Sequence, residues 1–259
     1  MNVLIMTDLE GITGVNTIDA IFDEGELNRK ACEDLMKDTN AAVSGYIDAG
    51  CEKVYVVDGH GGGKNFIPEM LDKRATQLVY PEWENVVKNG EVQLYAEVGL
   101  HAMAGTFNAF LEHTQNSKAW FDYSINGRSC GELIQGAGFV GAFGIPMVMV
   151  TGDIAVCEEA KEFLGDIAVA PVKRAVGRNT AISLPDDEAR KLIYDAAYRS
   201  VSLVGKIRPY KVHLPAEVRV VFQRTDYSDR YLTDRTERVD SRTIRKWVEK
   251  IDSYRSLLP

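Results

Sequence analysis

Two apolar runs, NVLIMT at residues 2–7 and KVYVV at 53–57, flank a helical pattern, and this arrangement constrains the fold more than any other feature of the chain. Short uninterrupted apolar runs that end in polar, glycine-bearing turns suit strands buried on both faces of a parallel sheet. Between them, from Ala31 onward, Leu35, Met36, Ala42, Val43, Tyr46 and Ile47 recur at helical spacing, and Gly50 stands where a helix C-cap belongs. The result is a β-α-β unit with parallel strands and a right-handed crossover. Parallel neighbours release the chain at one edge, so the turns TDLEG and DGHG are expected to meet there.

Further strands are expected over Gln93–Leu100, Ala119–Ile125 and Pro146–Val150, the last running into Thr151-Gly152-Asp153. Glu132–Phe143 and Ala155–Leu164 read as helices, the first weakened by Gly136, Gly138 and Gly141. Past about residue 175 the chain becomes charge-studded. Pro185–Leu203 is an amphipathic helix with proline and aspartate in its first turn, Glu217–Gln223 alternates like a half-buried strand, and Thr243–Tyr254 reads as a final helix. The expected fold is α/β, a largely parallel sheet flanked by helices with a smaller α+β C-terminal part. Residues 1–178 are taken as the catalytic domain and 179–259 as that smaller part. The latter holds one histidine, His213, in a proline-flanked connector, and reads as scaffold or oligomer surface.

With 259 residues, 45% of them hydrophobic, there is ample material for a large core. A formal net charge of -8 argues against nucleic acid or an anionic membrane as partner. The first six residues lack a basic flank and Asp8 interrupts the apolar run, so no secretory signal is read, and no later run is a membrane span. A cytoplasmic protein is expected. Cys32, Cys51, Cys130 and Cys157 are scattered without a C-x-x-C pair, as small buried residues of a reduced protein are.

The chemistry lies in the turns. Three of the four histidines, His60, His101 and His113, occupy short turns behind apolar runs, and the opening turn carries Asp8 and Glu10. In an extended segment, residues two apart face one side, so both carboxylates reach one locus if strand geometry persists to Glu10. A carboxylate bridging two cations, with a second carboxylate terminal on one of them, is a common way to build a paired-metal site. His60, His101 and Glu132 are candidates to complete it; the alternative is that Asp8 and Glu10 are turn and helix-cap residues and the histidines satisfied loop groups. Asp58 and Asp153 are candidates to orient the ligands, or simply caps at strand ends.

The ordered set T-D-L-E-G, D-G-H-G, V-G-L-H-A, E-H-T, N-G-R-S-C-G-E-L and V-M-V-T-G-D, between Asn2 and about Arg178, resembles the D-aminopeptidases of peptidase family M55. The resemblance implies two zinc ions per subunit and a large homo-oligomeric ring, a decamer. It implies that Asp8 bridges the ions, that Glu10 and His60 complete one and His101 and Glu132 the other, and that His113 is the catalytic histidine. Two imidazoles and three carboxylates suit zinc over manganese or cobalt. A hydroxide between two such dications is available near neutral pH, because coordination lowers the pKa of water from about 15.7 to about 7. The implied reaction is release of the N-terminal residue from short peptides, with D-amino acids favoured.

Rival readings come from the same loops. His60-Gly61-Gly62-Gly63 resembles an esterase oxyanion hole and Gly127-Arg128-Ser129-Cys130-Gly131 a nucleophile elbow, with Ser129 as nucleophile and His213 and Asp187 as partners. Against it, Asn126-Gly127 is a hairpin signal, and Asp8, Glu10, His101 and His113 are left without a role. The Asp8-Leu9-Glu10-Gly11 turn matches a phosphatase motif poorly. A third reading is a non-enzymatic, metal-holding oligomeric scaffold.

Overall fold

The computed structural model describes residues 1–22 and 25–259. Its strands, in chain order, are β1 (Asn2–Thr7), β2 (Lys53–Asp58), β3 (Ala75–Leu78), β4 (Leu94–Leu100), β5 (Trp120–Ile125), β6 (Arg128–Ser129), β7 (Met147–Asp153), β8 (Ala168–Gly177), β9 (Thr180–Ser183), β10 (Ala216–Phe222), β11 (Glu237–Arg238) and β12 (Thr243–Val248). The helices are α1 (Asp19–Phe22), α2 (Glu26–Asp48), α3 (Glu82–Lys88), α4 (Glu132–Ala142), α5 (Ile154–Leu164), α6 (Asp186–Ser200) and α7 (Thr225–Asp229).

Seven strands form one sheet in the order β3-β2-β1-β4-β7-β8-β9, parallel except for the last pair. The remaining five form an antiparallel sheet, β11-β12-β10-β5-β6. Alternation along β1 explains how the core divides. Val3 and Ile5 face a cluster containing Leu35, Val43 and Tyr46 of α2 and Ile193 and Ala197 of α6, while Leu4 faces one built with α4, β5 and β10. Main-sheet elements continue past residue 178, where α6 packs on α2 and β8. The antiparallel sheet in turn recruits β5 and β6 from before that point.

The strand order places the site. From β1 the chain moves outward through β2 to β3, then returns to the other side of β1 as β4. The carboxyl ends of β1, β2 and β4 therefore flank a topological switch point, where open α/β sheets leave a crevice.

One expectation fails. Residues 243–254 are not a helix: Thr243–Val248 is β12, followed by a short turn of 3-10 helix at Tyr254–Leu257. Ile244, Trp247, Val248 and Ile251 fit helical spacing, but β-branched Thr243, Ile244 and Val248 are the residues that pair and bury. Ile244 lies opposite Val220 and Val248 opposite Ala216, and this cross-strand packing overrides the helical pattern. Helix α4 forms despite its glycines because neighbours press on them; a Cβ on Gly141 would lie 2.0 Å from the Tyr210 carbonyl oxygen. All four cysteines are buried and free. No helix among the described residues is long and apolar enough to cross a membrane.

Candidate metal centre

Extended geometry ends with β1: the chain bends at Leu9 and turns at Glu10, held to β4 by the Asp8 N–H donating to the Val98 carbonyl at 2.9 Å and the Gly11 N–H to Gly99 at 2.7 Å. Through this turn Asp8 and Glu10 still reach one locus, the His60 ring at the end of β2. His60 Nδ1 lies 2.9 Å from Asp8 Oδ1 and 3.1 Å from Glu10 Oε2. The second oxygen of Asp8 turns the other way, 3.3 Å from His101 Nε2 at the end of β4, and Glu132 Oε1, on the first residue of α4, is also 3.3 Å from that nitrogen. Donor atoms fall into two groups, Asp8–Glu10–His60 and His101–His113–Glu132, each lying within 4.8 Å of one another. All six sequence-selected residues thus line one open cleft of about 710 Å³.

Backbone contacts fix the imidazoles. His101 Nδ1 donates to the Ala102 carbonyl at 3.0 Å and His113 Nδ1 to that of Leu111 at 2.8 Å, which commits both Nδ1 atoms and leaves Nε2 as the nitrogen each ring offers the site. Leu111 holds φ at +51°, a left-handed conformation that a leucine adopts only when its surroundings impose it. Those surroundings are the Leu111 N–H donating to the Arg178 carbonyl at 2.7 Å and the neighbouring Phe110 N–H donating to Asp153 at 2.8 Å. Asp153 also caps α5 by accepting from the Val156 N–H. Asp58 accepts from the backbone of His60, Asn65 and Phe66, so it organises the glycine turn and touches no imidazole.

Electrostatics bind the set together. Burial pushes the Glu10 carboxyl up, but His60 overcomes it and holds the group well below the usual carboxylate range. Burial opposes charge on His60, yet Glu10 and Asp8 raise its pKa to about 11. His101 is likewise raised despite complete burial, by Glu132 and Asp8. The carboxylates thus hold protons on the imidazoles, and neither lysine nor arginine ion-pairs with Asp8, Glu10 or Glu132 among the described residues.

Three participants escaped the sequence reading. Lys173, buried in β8, donates to the carbonyls of Glu10 (2.8 Å) and Val15, and so ties down the turn that carries the first carboxylates. Glu159 of α5 accepts from the Met103 N–H at 2.9 Å and anchors the loop after His101. Glu97 lies inside β4. Glu97 is the single charge inside the apolar run LYAEVGL, whereas Lys173 is one of a Lys-Arg pair in APVKRAV and Glu159 one of several charges on α5.

Ser129 does not sit on an elbow. It is exposed on β6 in a hairpin closed by Asn126 and Gly127, both at positive φ, and no hydrogen bond joins it to His213 or Asp187 among the described residues.

Residues 1–258 match the model of peptidase family M55, described as D-aminopeptidase. A protein named D-aminopeptidase, from Bacillus subtilis (strain 168), is 26% identical over 223 residues, spanning 81% of this chain and 77% of its own length. The solved structure of the Zn-dependent D-aminopeptidase DppA from Bacillus subtilis, described as a self-compartmentalizing protease, shares the fold. Its TM-score is 0.91 at 21% identity, covering 100% of this chain and 96% of that one.

Proposed function

This chain belongs to the M55 family of D-aminopeptidases, and on that premise we propose that it releases N-terminal residues, D-amino acids favoured, from short peptides. A pair of zinc ions would be held by Asp8, shared between them, with Glu10 and His60 for one and His101 and Glu132 for the other. The observation that carries this reading is the division of the Asp8 carboxylate, one oxygen toward His60 and one toward His101.

The residues present fit the group. Nitrogen and oxygen donors in this mixture suit a borderline dication. The buried carboxylates have only protonated imidazoles to neutralise them, and metal binding to such sets releases those protons. When bound, paired zinc ions polarise a carbonyl as Lewis acids and make a water acidic enough to react near neutral pH.

The remaining work falls to side chains. His113 stacks on His101, ring centroids 3.8 Å apart and planes 15° from parallel. His113 would then serve as a proton carrier beside the residues that hold the metal. With Nδ1 committed to Leu111, its Nε2 is the atom that holds a proton for the leaving amine. Leu111 strain supports catalysis over a purely scaffolding role, since such strain concentrates where a side chain must be positioned.

We further propose a closed homo-oligomer. Phe107 and Phe121 are 86% and 57% exposed, large apolar surfaces that assembly would cover. The test joins three measurements on one preparation: zinc per chain, hydrolysis of paired L and D dipeptides, and mass by light scattering. Zinc-replete protein inert toward every dipeptide would end the peptidase reading, and a monomer would end the ring.

A further inference from the structure

Beside the metal cleft, and sharing Asp8 and Glu132 with it, lies a second hollow of about 100 Å³. A buried water needs only about 10–15 Å³, so the hollow has room for a small polar group of several atoms. Its walls include Tyr80, Tyr95 and Tyr254, with Gln115 and Glu97. No lysine or arginine lines it.

Glu97 is only 5% exposed. Its Oε1 accepts from the Tyr95 hydroxyl at 2.8 Å, whereas its Oε2 is buried without a partner. Two of the other polar groups are engaged elsewhere: Gln115 Nε2 donates to Gln135 Oε1 at 2.8 Å, and the Tyr254 hydroxyl to the same oxygen at 3.0 Å. The sequence makes space for this acid. Gly136 stands one helical turn after Glu132, and a Cβ there would lie 2.5 Å from Glu97 Oε1. A glycine inside a helix costs about 1 kcal/mol against alanine, and an orphaned buried acceptor about 1–3 kcal/mol, so stability alone does not explain the arrangement. Burial, eased by Tyr95 and reinforced by the charges of Glu132 and Asp8, pushes the carboxyl well up. What the hollow lacks is a small cation.

We propose that Glu97 binds the α-ammonium group of the substrate's N-terminal residue. This inference rests on the aminopeptidase reading of the adjacent centre. In such a substrate the ammonium is attached one carbon away from the scissile carbonyl, so a carbonyl held at the Asp8–Glu132 side of the cluster brings the ammonium to the hollow. As the ammonium enters, the Glu97 carboxyl releases to solvent the proton that burial favours, and the tyrosine rings add cation–π attraction to the resulting ion pair. An acylated amine brings neither the charge nor the size, so Glu97 selects free N-termini.

The test uses zinc-loaded protein and non-hydrolysable probes: both enantiomers of 1-aminoethylphosphonate, and ethylphosphonate, which lacks the amine. Calorimetry on the wild type is expected to show at least a tenfold preference for one amino enantiomer. In Glu97→Gln that preference disappears while zinc content and ethylphosphonate affinity hold. In parallel, kcat/KM for alanyl p-nitroanilide falls about 100-fold, the scale of a truncated buried charge pair, while slow turnover of propionyl p-nitroanilide is unchanged. Gly136→Ala, which displaces the carboxylate without removing its charge, reproduces the loss. No amine preference in the wild type, its survival in Glu97→Gln, or equal weakening of both probes overturns the proposal. If neither variant keeps zinc, a wild-type crystal structure with the amino probe decides: an amine more than about 3.2 Å from Glu97 overturns it. Amine preference without hydrolysis of any aminoacyl substrate would leave the ammonium site standing and sink the peptidase reading instead.

Discussion

His101 and His113 stack face to face, ring centroids 3.8 Å apart, yet each is pinned by a different carbonyl, Ala102 for the first and Leu111 for the second. Parallel planes and separate anchors imply separate jobs. His113→Ala is expected to retain full zinc and lose about 10² to 10⁴-fold in kcat, the range of a lost general acid. Metal analysis beside kinetics checks it, and loss of one zinc per chain would make His113 a ligand.

His60→Ala and Glu132→Ala each remove a donor from a different trio, so each is expected to lose one ion and all measurable turnover. Asp8→Asn, which touches both trios, should lose both ions. Elemental analysis after gel filtration distinguishes the three patterns. Chelation of the wild type should abolish activity, and zinc should restore it.

Lys173→Met keeps an apolar stem and deletes the ammonium that serves the Glu10 and Val15 carbonyls. Each orphaned carbonyl costs about 1–3 kcal/mol. Urea unfolding should show that loss, with weakened zinc binding because Glu10 rides on the loosened turn.

Burial raises the Glu159 carboxyl from its ordinary 4.5 to about 7, despite the Met103 N–H. Between those values the folded chain holds a proton that the unfolded chain has released, so this group makes stability fall as pH rises from 4.5 to 7. At 1.36 kcal/mol per unit the fall amounts to about 3 kcal/mol. Denaturation of the zinc-loaded protein across that window should show a steeper decline for wild type than for Glu159→Gln; parallel curves would refute the assignment.

Ser129→Ala should leave peptidase activity intact, and a fluorophosphonate should neither label nor inhibit the protein, because the exposed hairpin that carries Ser129 offers it no base.

The sheet around the site was legible because buried parallel strands write themselves as apolar runs: NVLIMT, KVYVV and the run ending at Leu100 are β1, β2 and β4. Asp8 and Glu10 do share a target, but through a turn after β1 and not through the period-2 geometry of a strand. Glu97 and Lys173 stayed hidden for the converse reason. A charge in an apolar run, alone as Glu97 is or beside Arg174 as Lys173 is, reads as an interruption, and its meaning appears only when the neighbouring strand and helix are in place. Residues 243–254 satisfy two periodicities at once, and only pairing with β10 selects the strand. Strain at Leu111 has no sequence signature, since the residue type argues against the conformation.

Because the turns after β1 and β2 alone supply Asp8, Glu10 and His60, the donors proposed for one ion are all present by residue 60, whereas those proposed for the other wait for His101 and Glu132. A polypeptide emerging from its amino end thus carries a complete first set of claws long before the second has been synthesised, and the two proposed ions need not be captured at the same moment in the life of the molecule.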